Sequence, residues 1–261
     1  MYRMLVATLS VAVFFMISNP CFAAELDQIR KAGDISFSMS GQYPPFNFVN
    51  DKNELTGFDV DVCSEIARRI GVKPVPMTTA WDGIIAGLLA GKYNLICGSM
   101  AITDSRLKAI DFSDPYINSN QSLAVASDST VMTTDDLKDG DKVGVQSGTT
   151  GEIWAKENLA PKGISVTPYD DVLAAFGALG AGDIAGVIND APISQDVVKD
   201  PARKAKVVQE IPTGEQYGFA FSKESTALKD AVNGALAEIK ADGTYVEIYK
   251  VWFGAEPLSI P

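Results

Sequence analysis

Phe58, Val62, Ile66 and Ile70 recur at every fourth position, with Cys63 and Ala67 beside them, and this spacing predicts a helix with one apolar face. Asp59 and Asp61 lie in its first turn, where the helix dipole favours acids, and Gly71 can close it. Before it, residues 35–40 read as a strand, and 46–49 and Leu55 flank the polar turn 50–53 as a hairpin. After it, Ile84, Leu88 and Leu89 mark a helix ended by Gly91, and 93–97 a strand. Thr103 can N-cap a helix running to Ile110. Strands are predicted at 122–126, 142–146, 184–188, 207–211 and 217–221. Helices are predicted from the turn 147–151 to Asn158, over 172–179, from Pro192, and through Leu228, Val232, Leu236 and Ile239 to a stop at Gly243.

This alternation implies an α/β fold of mostly parallel sheets with helices on both faces, in two lobes. Ligands of open α/β sheets sit beyond the carboxyl ends of the strands. Three strand–helix junctions are therefore of interest: 98–106, 146–151 and 188–192.

Charge and composition narrow the chemistry. The 261 residues hold 22 Lys plus Arg against 33 Asp plus Glu, a net charge of -11, which argues against nucleic acid as a partner. The absence of histidine excludes Ser-His-Asp and Cys-His nucleophiles and any His-ligated metal. No metal, cofactor or catalytic residue is expected.

The N-terminus reads as an address. Arg3 precedes an apolar run over 4–17, and Ser18, Asn19 and Pro20 break it before Cys21, Phe22 and Ala23. That is the layout of a cleaved signal peptide over 1–23, and the run is short of the ~20 residues that span a bilayer. Pro20 fits poorly with lipidation of Cys21. The mature chain keeps Cys63 and Cys97. A disulfide is allowed, but one cysteine in a helix pattern and one in a strand pattern favour two buried thiols.

Each junction carries a group that is weak evidence alone. Arg106 in a first helical turn suits a carboxylate, although a lone arginine is usually a surface residue. The turn Ser147-Gly148-Thr149-Thr150-Gly151 offers amides and hydroxyls to an anion but lacks a P-loop lysine. Asp190 could hold an ammonium or simply cap a helix. Tyr43, Phe46 and Trp81 could wall a pocket or belong to the core. Together they describe a receptor for a zwitterion.

Gly57-Phe58-Asp59-Val60-Asp61-Val62, followed by Ile66, Ala67 and Ile70, resembles the signature of family 3 bacterial extracellular solute-binding proteins. The likeness continues through 43–46, 83–93, Ile102-Thr103 with Arg106, 111–116, 143–150 and Asn189-Asp190. It implies a two-lobed periplasmic-binding-protein fold of type II, a soluble, monomeric, periplasmic receptor of polar amino acids, and an ABC importer as partner, with permease subunits and a separate ATPase chain. Lobe 1 would comprise 24–121 and 214–261 and lobe 2 the inserted 122–213, with crossovers near 123–126 and 209–218.

By resemblance, Arg106 clamps the ligand carboxylate, with Ser99, Ala101 and Thr150 beside it. Asp190 holds the ammonium, and Tyr43, Phe46 and Trp81 form an aromatic wall. Ala101 departs from the usual Ser or Thr, which leaves room for an opine or another amino acid derivative. Asn94 stands where Asp is frequent, which affects the fold only. Ser40 stands where receptors of basic amino acids often carry Asp. Gln146 and Asn189 are expected at the ligand's far end. A pocket without countercharge disfavours a cationic side chain, and no second base appears for an acidic one, so a neutral polar ligand is expected. Two other classes are an enzyme of cyclohexadienyl dehydratase type, with Asp82, Glu152 or Asp190 as its acid, and a sensor for a membrane receptor.

Overall fold

The computed structural model describes residues 24–261; the signal segment predicted over 1–23 lies outside them. The chain runs α1 (Ala24–Ala32), β1 (Asp34–Met39), β2 (Gln42–Tyr43), β3 (Asn47–Val49), β4 (Leu55–Thr56), α2 (Phe58–Ile70), β5 (Lys73–Thr78), α3 (Trp81–Leu89), β6 (Leu95–Ile96), α4 (Asp104–Leu107), β7 (Asp111–Phe112) and β8 (Ile117–Ala126). It continues with β9 (Lys142–Gln146), α5 (Thr150–Asn158), β10 (Ser165–Tyr169), α6 (Val172–Ala181), β11 (Gly186–Asp190), α7 (Ala191–Val197), β12 (Ala205–Tyr217), β13 (Ala220–Phe221), α8 (Thr226–Ala241) and α9 (Thr244–Phe253).

Two five-stranded sheets share one plan. The first has the order β5-β1-β6-β13-β7 and the second β10-β9-β11-β8-β12. In each, one strand (β13 or β8) is antiparallel to both neighbours and the other four run the same way. β2, β3 and β4 form a small third sheet.

Period-two alternation decides which helix each strand residue meets. Leu123, Val125 and Ile188 pack with Ala155 of α5 and with Leu159 just after it, while Ala124 and Val187 face Phe176 and Leu179 of α6. In the first sheet, Leu95 and Cys97 join Val62, Cys63 and Ile66 of α2, and Ile96 meets Ile84 and Leu88 of α3.

The chain passes between the sheets along β8 and β12, which pair antiparallel from Ala126–Ala205 to Ile117–Tyr217. A register shift between Ile211 and Glu215 breaks the ladder, and the amides of Thr213 and Gly214 turn onto Asn120 Oδ1. Leu123 and Ala124 pair with β11 inside the second sheet, so the first passage lies upstream of the predicted 123–126.

Two further sequence expectations need correction. Cys63 and Cys97 are a disulfide, with Cα atoms 6.7 Å apart, not two thiols. The helix expected from Thr103 to Ile110 closes after one turn at Leu107. Strand β5 was not among the predicted strands, and its Pro74 and Pro76 are disfavoured inside a sheet. It lies at the sheet edge, where a missing N–H is tolerated, and all six of its residues are exposed. β10 and α9 were also not expected. No helix among the described residues is long and apolar enough to cross a membrane.

Candidate functional site

The carboxyl ends of the two sheets face one another across a small cavity. Tyr43, Trp81, Ser99, Ala101 and Arg106 line it from the first sheet's side, and Gln146, Thr149, Thr150 and Asp190 from the second. Eight of the ten predicted site residues therefore converge. Phe46 does not. It is fully buried and meets Phe58, Tyr217 and Phe253 at centroid distances of 5.8, 5.9 and 5.3 Å, so it is core. Asn189 stands one layer back, accepting from the Tyr43 hydroxyl at 3.3 Å.

Arg106 sits in the single turn of α4. Thr103 caps that turn by accepting from the Arg106 amide at 3.2 Å. The guanidinium donates to Ala101 O at 2.8 Å and across the cleft to Gly148 O at 3.2 Å. Its Cζ lies 5.5 Å from the Trp81 ring centroid, a cation–π distance. Burial lowers its pKa, and the charges of Asp190 and Glu215 oppose that effect. A desolvated fork held this way is suited to a carboxylate.

Asp190 ends β11 and is buried. The Tyr43 hydroxyl (2.6 Å) and the Tyr217 hydroxyl donate to its Oδ2, and Gln121 Nε2 donates to its Oδ1 at 2.5 Å. All three donors are neutral. Burial and the Glu215 charge push its pKa up to about 6, against the pull of these hydrogen bonds. A carboxylate so placed lacks a cation of its own, and an ammonium would supply one.

The turn 147–151 is less open than its sequence suggests. The Gly148 amide already donates to Glu152 of its own helix at 2.7 Å. The Thr150 hydroxyl donates to Glu215 Oε2 at 2.7 Å, and Thr149 caps α5 through the Glu152 amide. Gln121, Glu215 and Tyr217 were missed as neighbours of Asp190. Gln121 had one signal, a polar residue at an inward position of an apolar strand. Glu215 had none, because the register shift before it sets where it points.

The model of "Bacterial extracellular solute-binding proteins, family 3" matches residues 35–255, and the chain belongs to that family. Its fold is the two-lobed type II fold of the periplasmic binding proteins. The L-cystine-binding protein TcyJ of Escherichia coli is 35% identical over 97% of this chain and 95% of its own length. The histidine-binding periplasmic protein of Escherichia coli is 33% identical over 96% of this chain and 97% of its own. A crystal structure of the ancestral amino acid-binding protein AncCDT-1, a precursor of cyclohexadienyl dehydratase, superposes with a TM-score of 0.82. It is 35% identical and covers 87% of this chain and 99% of that one.

Proposed function

We propose that the protein is a periplasmic receptor that binds a polar amino acid between two closing lobes and delivers it to an ABC importer. One observation carries this reading: Arg106 and Asp190 stand on opposite rims of one cavity, matched to the carboxylate and ammonium of a zwitterion. The names of the relatives, receptors of cystine and histidine, support it. The other lining side chains are uncharged, which favours a neutral polar ligand over a cationic one.

The lobes comprise 24–121 with 214–261, and 122–213. The cavity is ≈ 20 Å³, room for about one water. An amino acid therefore enters only when the rims part, by bending at the broken ladder of β8 and β12. Ligand favours the closed form by its differential affinity for that form. The importer's permease reads the closed shape of a monomeric receptor, and a separate chain hydrolyses ATP.

A thermal-shift and calorimetric panel of amino acids, with cystine, histidine, arginine and opines included, tests the reading. A ligand at 100 times its Kd adds about 2.7 kcal/mol of stability. Silence from every zwitterion would overturn the receptor assignment.

The likeness to AncCDT-1 and the raised pKa of Asp190 support a second reading, a dehydratase acting through that acid. Glu152 is tied to the Gly148 amide and to Lys156, which leaves Asp190 the better placed of the two. Incubation with prephenate or arogenate decides it. Formation of an aromatic product would establish the enzyme.

A further inference from the structure

Ser99 has φ 51°, in the left-handed region that a residue with a Cβ normally avoids. Its hydroxyl does not serve the cavity, because it donates to Asp59 Oδ2 at 2.8 Å. Its amide donates to Tyr116 Oη at 3.1 Å. Asp59, in the first turn of α2, is fully buried and also accepts from the Tyr116 hydroxyl at 2.7 Å and from Asn47 Nδ2 at 2.8 Å. All three donors are neutral, so the carboxylate sits in the interior without a countercharge, an arrangement that costs folding energy.

The network leads to the cavity by two routes. Asn47 Oδ1 accepts from Ser40 Oγ (3.1 Å) and from the Gly41 amide (3.0 Å), in the turn just before Tyr43. Ser99 opens the segment 99–101, and the carbonyl of Ala101 accepts from Arg106 Nη1. One turn along the same face of α2 from Asp59, Cys63 is bonded to Cys97, two residues before Ser99.

We propose that Asp59 is a positioning residue of the ligand site: together with the Cys63–Cys97 bridge it locks Ser99 in its left-handed conformation, and so aims the 99–101 backbone and the Arg106 fork. The inference rests on the amino acid receptor reading. It assigns the contribution of Ser99 to its backbone.

The test uses Asp59→Asn in the full-length mature protein. Asn keeps the shape but replaces an acceptor with a donor, so the three donors cannot all be met. Hydrogen exchange at the Ser99 amide is expected to speed up, and affinity for the amino acid found by the panel to fall, each by roughly tenfold or more. Adding Ser99→Gly, which adopts positive φ freely, is expected to recover about threefold or more of the lost affinity; a merely structural role of Asp59 would give no such recovery. If Asp59→Asn does not fold, Ser99→Ala decides, because it removes only the hydroxyl and leaves the strained φ; faster exchange is then expected. A folded Asp59→Asn or Ser99→Ala with unchanged Ser99 exchange overturns the proposal, as does an affinity loss that Ser99→Gly does not relieve. If the natural chain binds no amino acid, the receptor reading falls, and the exchange comparison alone decides the role of Asp59.

Discussion

The two sheets have the same strand order, yet their rims are built by different means. In the first sheet, residues 97–106 are held by a disulfide, a buried carboxylate and a capped single turn. In the second, the corresponding junctions are held by helix caps and strand pairing above an apolar core of Leu123, Val143, Val145 and Ile188. The first rim presents the cation Arg106 and the second the anion Asp190. Topology fixes where a site lies, but side chains under each rim decide its charge and stiffness. The stiffer rim is suited to meet the ligand first, with the other closing over it.

Changes at either rim test this contrast. Among the described residues Arg106 alone lines the cavity with a guanidinium, and Arg106→Ala removes it and leaves the ligand carboxylate unpaired. It should cost about 3–5 kcal/mol of binding, roughly a hundredfold to several thousandfold in Kd by calorimetry, with little change in Tm. Replacing Cys63 and Cys97 by alanine opens a loop with a sequence separation of 34. That should cost about 3–4 kcal/mol of stability in urea unfolding, whereas no such link exists among the described residues of the second lobe.

At the second rim the lever is pH. The pKa of Asp190 is raised to about 6 in the unliganded site by burial first and by the Glu215 charge second. A bound ammonium favours the ionised form. Affinity should therefore be full above pH 6 and fall by about tenfold per unit below it, measured by calorimetry between pH 5 and 8. In Asp190→Asn the affinity should be low throughout and the acid loss shallower, with the buried Asp59, whose pKa is also raised to about 6, still titrating in this range. A steep acid loss that persists in Asp190→Asn would place the titrating group elsewhere.

The smallest effect compares the caps. Thr103→Ala and Thr149→Ala each remove the side-chain acceptor of a helix's first turn, worth about 1 kcal/mol. Thr103→Ala should loosen Arg106 and weaken binding several-fold. Thr149→Ala should mainly lower Tm, because α5 has further turns to hold it. Equal effects on affinity would erase the contrast between the rims.

Much of this was legible along the chain, and the failures have particular causes. The periodicity at 58–70 and the Gly71 stop correspond to α2 and its left-handed cap. Tyr43, Trp81, Ser99, Ala101, Arg106, Gln146, Thr150 and Asp190 sit at strand ends or in the loops and first helical turns that follow them, where the fold class puts ligands. Phe46 was misread because an aromatic after a proline turn looks the same whether it faces a cavity or a core. Cys63 and Cys97 were read from a helix pattern and a strand pattern as two buried thiols, because only the docking of α2 on β6 brings them together.

The sequence by itself determined most of the elements, the absence of histidine chemistry, the family and the junctions where opposite charges would stand. These depend on spacing and residue type within a few turns of chain. Tertiary structure alone decided the disulfide, the burial of Asp59 against Asn47, Ser99 and Tyr116, and the placing of Gln121 and Glu215 beside Asp190. Each of these joins residues from separate elements. Their contact depends on which face of a strand meets which helix, and on a register shift that no local pattern encodes.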